Sequence, residues 1–184
     1  MLTVEKKKKY TADDYMMLEE GAPFQLINND LVMSPSPLAI HQQIVFALSE
    51  VIVLFNIQNG RKGQWMYAPI DVKFDEGNVV QPDIIYISEE RKAALIKERV
   101  EGAPDLIIEI LSPSNAYYDL RQKKNLYEKY GVKEYIIIDP IEQSAELYVL
   151  KGGGYDLHQK AQNNEQLSSV LLRAFSIDLS KLFQ

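Results

Sequence analysis

The 184-residue chain contains no cysteine, which excludes disulfides, thiolate metal sites and cysteine nucleophiles together. Histidine is nearly absent as well. His41 and His158 are far apart, so a histidine-rich metal centre is not expected and any metal would rest on oxygen ligands. Basic residues are in deficit, 20 against 26 acidic ones, for a formal charge of -6. That balance argues against a protein that coats nucleic acid non-specifically, because such binders carry a basic surface. It leaves room for a local basic groove or for a metal site built from carboxylates. Long apolar runs are missing too. The most apolar segment, residues 38–58, is interrupted by His41, Gln42, Gln43, Ser49 and Glu50. Its unbroken runs, residues 44–48 and 51–55, fall far short of the roughly 20 residues that span a bilayer. At the N-terminus, the basic run Lys6 to Lys9 is followed by Tyr10-Thr11-Ala12-Asp13-Asp14 where a signal peptide would have an apolar core. These absences predict a soluble, cytoplasmic protein.

What is present suits one mixed α/β domain over residues 1–184, with residues 1–9 as a tail. Apolar residues make up 46% of the chain, enough for a substantial core but not for two ordinary domains. Thr11 with Asp13 and Asp14 predicts a capped helix running to about Glu20, ended by Gly21 and Pro23. Residues 24–27 and 31–33 read as a hairpin around Asn28-Asn29-Asp30. Ser34-Pro35-Ser36-Pro37 is a stiff connector into residues 38–58, where Ile40, Ile44, Leu48, Val51, Ile52 and Phe55 recur with a helical period. Besides His41, that helix carries only Glu50 as an ionisable residue, so most of its surface should be covered, by core or by a second subunit.

Strands are expected at residues 64–67, 70–74, 83–87, 106–111 and 134–138. A short exposed helix should occupy residues 88–99 and a longer one residues 115–130. A hairpin is expected at 146–150 and 155–159, then an alternating apolar tail from Leu167 to Phe183. The chain shows no internal repeat.

Two carboxylates stand in unusual places. Asp83 follows Pro82 at the mouth of an apolar strand. Glu109 lies inside Leu106-Ile107-Ile108-Glu109-Ile110-Leu111, apolar at both parities, so both strand faces should be buried. An ionised Glu109 there is costly unless it is paired or coordinated. On the following helix, Asp119, Lys123 and Tyr127 share one face at four-residue intervals, and Lys123 could return over the strand end. Two carboxylates about 4 Å apart repel by roughly 4 kcal/mol at an effective dielectric near 20. A hard divalent cation relieves that repulsion, and a nearby lysine could orient or deprotonate an attacking water.

The order Pro82-Asp83, Pro104-Asp105 with Glu109-Ile110-Leu111-Ser112-Pro113-Ser114, Asp119, Lys123, Tyr127, Gly131-Val132-Lys133-Glu134-Tyr135 and Asp139-Pro140 resembles the Uma-two family of bacterial endonucleases. Met33-Ser34-Pro35-Ser36-Pro37 with His41 is similar to that family as well. The resemblance runs from about Thr11 to the C-terminus. It implies a fold of the restriction endonuclease-like PD-(D/E)XK superfamily, a mixed central β-sheet flanked by helices. It also implies Mg²⁺- or Mn²⁺-dependent hydrolysis of phosphodiester bonds in DNA. Asp83, Glu109 and the Ile110 carbonyl would hold the metal. Leu111 stands where a typical superfamily member has its lysine, and Lys123 on the next helix matches the variant that moves it, with Lys124 as the neighbouring alternative. Further departures are Gln25 for a usual Glu, Asn28-Asn29 for Asp-Gly, and Ile136 for Trp.

Other readings stand beside these. Glu109 and Lys123 could form a structural ion pair without metal, in a non-catalytic nuclease-fold domain that binds or regulates. Asp119 and Tyr127 would orient the lysine or pack the helix. His41 is either a cap contact or at the rim of the site, and Glu50 is a further acidic ligand candidate. Asp105 and Asp139 read as turn residues beside proline. Lys6 to Lys9 read as a solvated tail, and the sparsely charged helix at 38–58 suits a homodimer.

Overall fold

A computed structural model describes residues 8–34, 36–112 and 116–184, without the side chains of residues 116–120. Pro35, the segment 113–115 and the side chain of Asp119 therefore lie outside the described residues, and with them part of the 34–37 connector, the Ser-Pro-Ser motif and the expected helix start at residue 115. Residues 1–7 of the expected tail also lie outside, while Lys8 and Lys9 are exposed.

Thr11 caps α1 (Ala12–Met16) with a capping box. Its hydroxyl accepts the Asp14 N–H, and the Asp14 carboxylate accepts the Thr11 N–H. The helix stops at Met16 and not near Glu20. Only Ala12 and Tyr15 are buried, so no apolar face continues it. Asn28 and Asn29, both at positive φ, turn β1 (Phe24–Ile27) into β2 (Asp30–Met33), the tight hairpin expected of that pair. Then follow α2 (Ala39–Gln58), β3 (Gln64–Tyr67), β4 (Val72–Asp75), β5 (Asn78–Val80) and β6 (Ile84–Ile87). Residues 88–99 hold only a single turn of helix, α3 (Lys92–Leu95), before β7 (Val100–Glu101). The rest of the chain forms β8 (Leu106–Ile110), α4 (Ala116–Tyr130), β9 (Glu134–Asp139), β10 (Ser144–Lys151), β11 (Gly154–Gln162), β12 (Gln166–Ser168), β13 (Ser176–Asp178) and α5 (Leu179–Leu182).

The mixed central sheet has the order β11-β10-β9-β8-β6-β3. Its β8–β9 pair is parallel, joined across α4, and its other pairs are antiparallel. A second sheet, β2-β1-β5-β4-β7, stands beside it. One central sheet was the expectation. The second escaped it because β5 and β7 are three and two residues long, too short to show a two-residue alternation.

All five residues of β8 are buried, and their parity divides the core. Leu106, Ile108 and Ile110 pack on the α2 side with Ile44, Leu48, Ile52 and Phe55. Ile107 packs on the opposite side with Leu126 and Tyr127 of α4 and with Tyr135 and Ile137 of β9. By the two-residue period of a strand, Glu109 points to the α4 side. By length and composition α2 could cross a membrane, with a mean hydropathy of 1.5. One of its faces is instead built into the core: His41, Ile44, Leu48, Ile52 and Phe55 are all buried.

Asp105 is not a solvated turn residue. It is fully buried, with Arg91 Nη1 at 2.8 Å, Lys133 Nζ at 2.7 Å and the Ser88 N–H at 2.8 Å. Asp139 does serve the turn after β9, accepting from the N–H groups of Ile141 and Glu142.

Gly63 precedes β3 at a φ of 78°, and a Cβ there would collide with the Tyr86 ring. Gly63→Ala is expected to lower stability by about 1–2 kcal/mol, read as a reduced denaturant midpoint at unchanged slope.

Candidate active site

The antiparallel register of β6 and β8 sets Ile84 against Ile108 and Ile85 against Ile107. Continued by one residue, it sets Asp83 opposite Glu109, and opposed residues share one face of a sheet. The two uncomfortable carboxylates of the sequence are therefore neighbours at the end of the central sheet. Asp83 Oδ2 accepts the Ile110 N–H at 2.8 Å, which ties the start of β6 to the end of β8.

Helix α4 returns over that end. Lys123 Nζ lies 2.9 Å from Glu109 Oε1, and the Tyr127 hydroxyl donates to the same oxygen at 2.5 Å. Lys123 and Tyr127 thus meet one carboxylate, as their four-residue spacing predicts. Burial raises Glu109 above the usual carboxylate range; Lys123 opposes that shift and the charge of Asp83 adds to it. Burial and the charge of Glu109 push the Tyr127 hydroxyl well up, so it stays a donor.

From the other side of the sheet, the first turn of α2 brings His41 to Asp83, Nε2 to Oδ1 at 3.1 Å. His41 is buried, and its Nδ1 has no hydrogen-bond partner. It stands at the site itself. Two other sequence candidates do not. Glu50 is exposed on the side of α2 that faces away from the core. Lys124 points away from Glu109, its ammonium 3.5 Å from the centre of the Tyr148 ring.

The carboxylates open into a cleft of about 960 Å³ between the end of the central sheet and the second sheet. Among the described residues six carboxylates line it (Glu19, Glu20, Asp71, Asp83, Glu98 and Glu109) against two cations, Arg99 and Lys123. A phosphate entering this cleft meets net negative charge unless a cation offsets it.

Residues 12–180 match a family model, Uma2, described as "Putative restriction endonuclease". The chain belongs to the Uma2 family. It is 28% identical over 154 residues to "Uncharacterized protein sll1609" of Synechocystis sp. (strain ATCC 27184 / PCC 6803 / Kazusa), covering 80% of this chain and 85% of that one. Its fold is that of the crystal structure described as a putative nuclease belonging to DUF820 from Anabaena variabilis ATCC 29413. The TM-score is 0.74 at 20% identity, over 94% of this chain and 97% of that one.

This Uma2 chain also has a polar wall that sequence reasoning missed. Asp71 Oδ1 accepts from the Tyr15 hydroxyl and from Gln81 Nε2, both at 3.0 Å. Gln25 accepts the Gln81 N–H and donates to Ser34 Oγ. All of these residues line the cleft. Gln81 lies two residues before Asp83, and the strand alternation that aims Asp83 into the site could have pointed to it. Nothing local marks Asp71 or Tyr15, because α1, the β3–β4 connection and the segment after β5 meet only in the fold.

Proposed function

We propose that this chain is a metal-dependent nuclease of the cytoplasm that hydrolyses phosphodiester bonds in DNA. Membership of a family described as "Putative restriction endonuclease" supports a nuclease-type function. The observation that carries the finer reading is the opposition of Asp83 and Glu109 under Lys123.

The donor set suits a hard divalent cation. Among the described residues no three His, Cys, Asp or Glu side chains gather into a metal group, so a protein cage is not the form such a site would take. Mg²⁺ and Mn²⁺ accept sparser sets, one or two carboxylates completed by backbone oxygen, water and phosphate. Asp83 and Glu109 supply the carboxylates. The Ile110 N–H points to Asp83, and in a strand the carbonyl of the same residue points to the same side, which makes the Ile110 carbonyl the natural third oxygen. The cation would supply charge stabilisation on the phosphate and a more acidic attacking water.

The chain's own groups do the rest. Lys123 orients the water and meets charge that develops as the water oxygen bonds to phosphorus and the bond to one ester oxygen breaks. Tyr127 holds Glu109 in place, and His41 and the Ile110 N–H hold Asp83. A cation at Asp83 and Glu109, together with Lys123, would offset the acidic field of the cleft locally, at the point where a phosphate approaches.

One observation favours a second reading. The 2.9 Å contact of Lys123 with buried Glu109 is also the geometry of a structural ion pair in a non-catalytic domain. Calorimetric titration with Mn²⁺ separates the two. The nuclease reading expects site-dependent heat that Glu109→Gln removes. Identical traces from wild type and Glu109→Gln would leave the structural pair standing.

A further inference from the structure

Helix α2 carries two apolar stripes, and only one of them is used. The first faces the core through Ile44, Leu48, Ile52 and Phe55. The second consists of Phe46, Val53 and Ile57, with Leu54 beside them and Glu50 between Phe46 and Val53. At 3.6 residues per turn, Phe46, Val53 and Ile57 fall within about 40° of one another, on the side opposite Leu48. The progression 46, 50, 53, 57 is the alternating four- and three-residue spacing of a helix–helix seam. These side chains stand open: Phe46 is 66% exposed, Val53 52%, Leu54 60% and Ile57 58%.

We propose that this second stripe is the interface for a second copy of the chain, with α2 packed on α2 about a two-fold axis. The four side chains expose on the order of 500 Å² per copy, so their complete covering in two copies sets an upper bound of about 1,000 Å², the threshold of a specific interface before any polar rim is counted. The stripe is self-complementary. An antiparallel pair with its axis between Val51 and Ile52 matches Phe46 of either copy with Ile57 of the other, and the isologous contact closes at two. A lipid surface fits less well. Helix α2 has no lysine or arginine to meet anionic headgroups, and Glu50 in mid-stripe would be driven into the apolar layer. Between two copies Glu50 instead lies against Val53 of the other copy, a cost in affinity of the kind that polar residues impose on helix seams. The proposal is independent of the nuclease reading, since none of the stripe residues lines the cleft.

Mass in solution tests it. The full chain is expected to sediment at twice 21.1 kDa, and Val53→Glu/Ile57→Glu at 21.1 kDa, with unchanged circular dichroism. Glu50→Gln should tighten association about tenfold by removing a charge from the apolar seam. The absence of cysteine offers a second measurement that needs no disruptive change. Under mild oxidation Val53→Cys should give a disulfide-linked dimer, whereas Val170→Cys, equally exposed elsewhere, should not. A wild type that stays monomeric at high concentration overturns the proposal. So does a double variant that still dimerises, or a wild type that pellets with phosphatidylglycerol vesicles through Val53 and Ile57.

Discussion

Asp83→Ala and Glu109→Gln are each expected to reduce Mn²⁺-dependent DNA cleavage by on the order of 10³-fold or more, the scale of losing one preorganised electrostatic group. Asp83 and Glu109 face each other across the ends of β6 and β8, so losing either halves the carboxylate charge that would hold and position a divalent cation against the phosphate. The measurement is single-turnover cleavage of varied DNA substrates, wild type against each variant, with circular dichroism to confirm the fold. Unchanged cleavage in either variant would sink the assignment. A pH dependence follows from the same geometry. Burial and the charge of Asp83 hold Glu109 above 4.5, so its proton must leave at a higher pH than that of an ordinary glutamate before a cation can be held. The acid limb of the cleavage profile should therefore lie above pH 4.5. Stability runs the other way: a carboxyl raised in the folded state favours folding below its unfolded value and loses that contribution as pH rises through its folded value.

Asp105→Ala is expected to cost about 3 kcal/mol and to lower Tm by roughly 10 °C without touching the cleft. Asp105 is fully buried and receives the Ser88 N–H, Arg91 and Lys133 together, joining the ends of β6, β8 and β9. Its loss leaves the Ser88 N–H without its acceptor. The cost falls at the lower end for a broken buried pair because Arg91 and Lys133 both reach water. Burial alone would raise Asp105. Lys133, the Ser88 N–H and Arg91 more than offset it and hold the carboxyl below 3.8. A depressed folded value means stability that is present above the unfolded value and lost as pH falls through the folded one. Acid unfolding should therefore steepen below about pH 4 in the wild type and flatten in Asp105→Asn. Equal acid sensitivity in the two proteins would show that the Asp105 cluster does not carry this stability.

How legible a residue was depended on whether its partners lay on its own element. Lys123 and Tyr127 could be placed because a helix period relates them, and both meet Glu109. Glu109 stood out because five buried residues in a row leave a carboxylate no water. The Asn28-Asn29 turn and the capping box of Thr11 were legible for the same local reason. Asp105 was misread as a turn residue because its cations lie 14 residues before it and 28 after it. Glu134 is similar. It is buried and accepts from Ser169 Oγ and the N–H groups of Val170 and Leu171, more than 30 residues away.

The chain of residues alone was sufficient for the class of fold and the identity of its two odd carboxylates. These follow from composition and short-range period, which each element carries within itself. Tertiary structure decided the rest. The register of β6 against β8 made Asp83 and Glu109 neighbours, and α2 delivered His41 to Asp83 while turning Glu50 to the outside. Helix α1, the β3–β4 connection and the segment after β5 closed the cleft with Tyr15, Asp71 and Gln81. Strand pairing and helix packing act between segments tens of residues apart, and no local periodicity records which strand lies beside which.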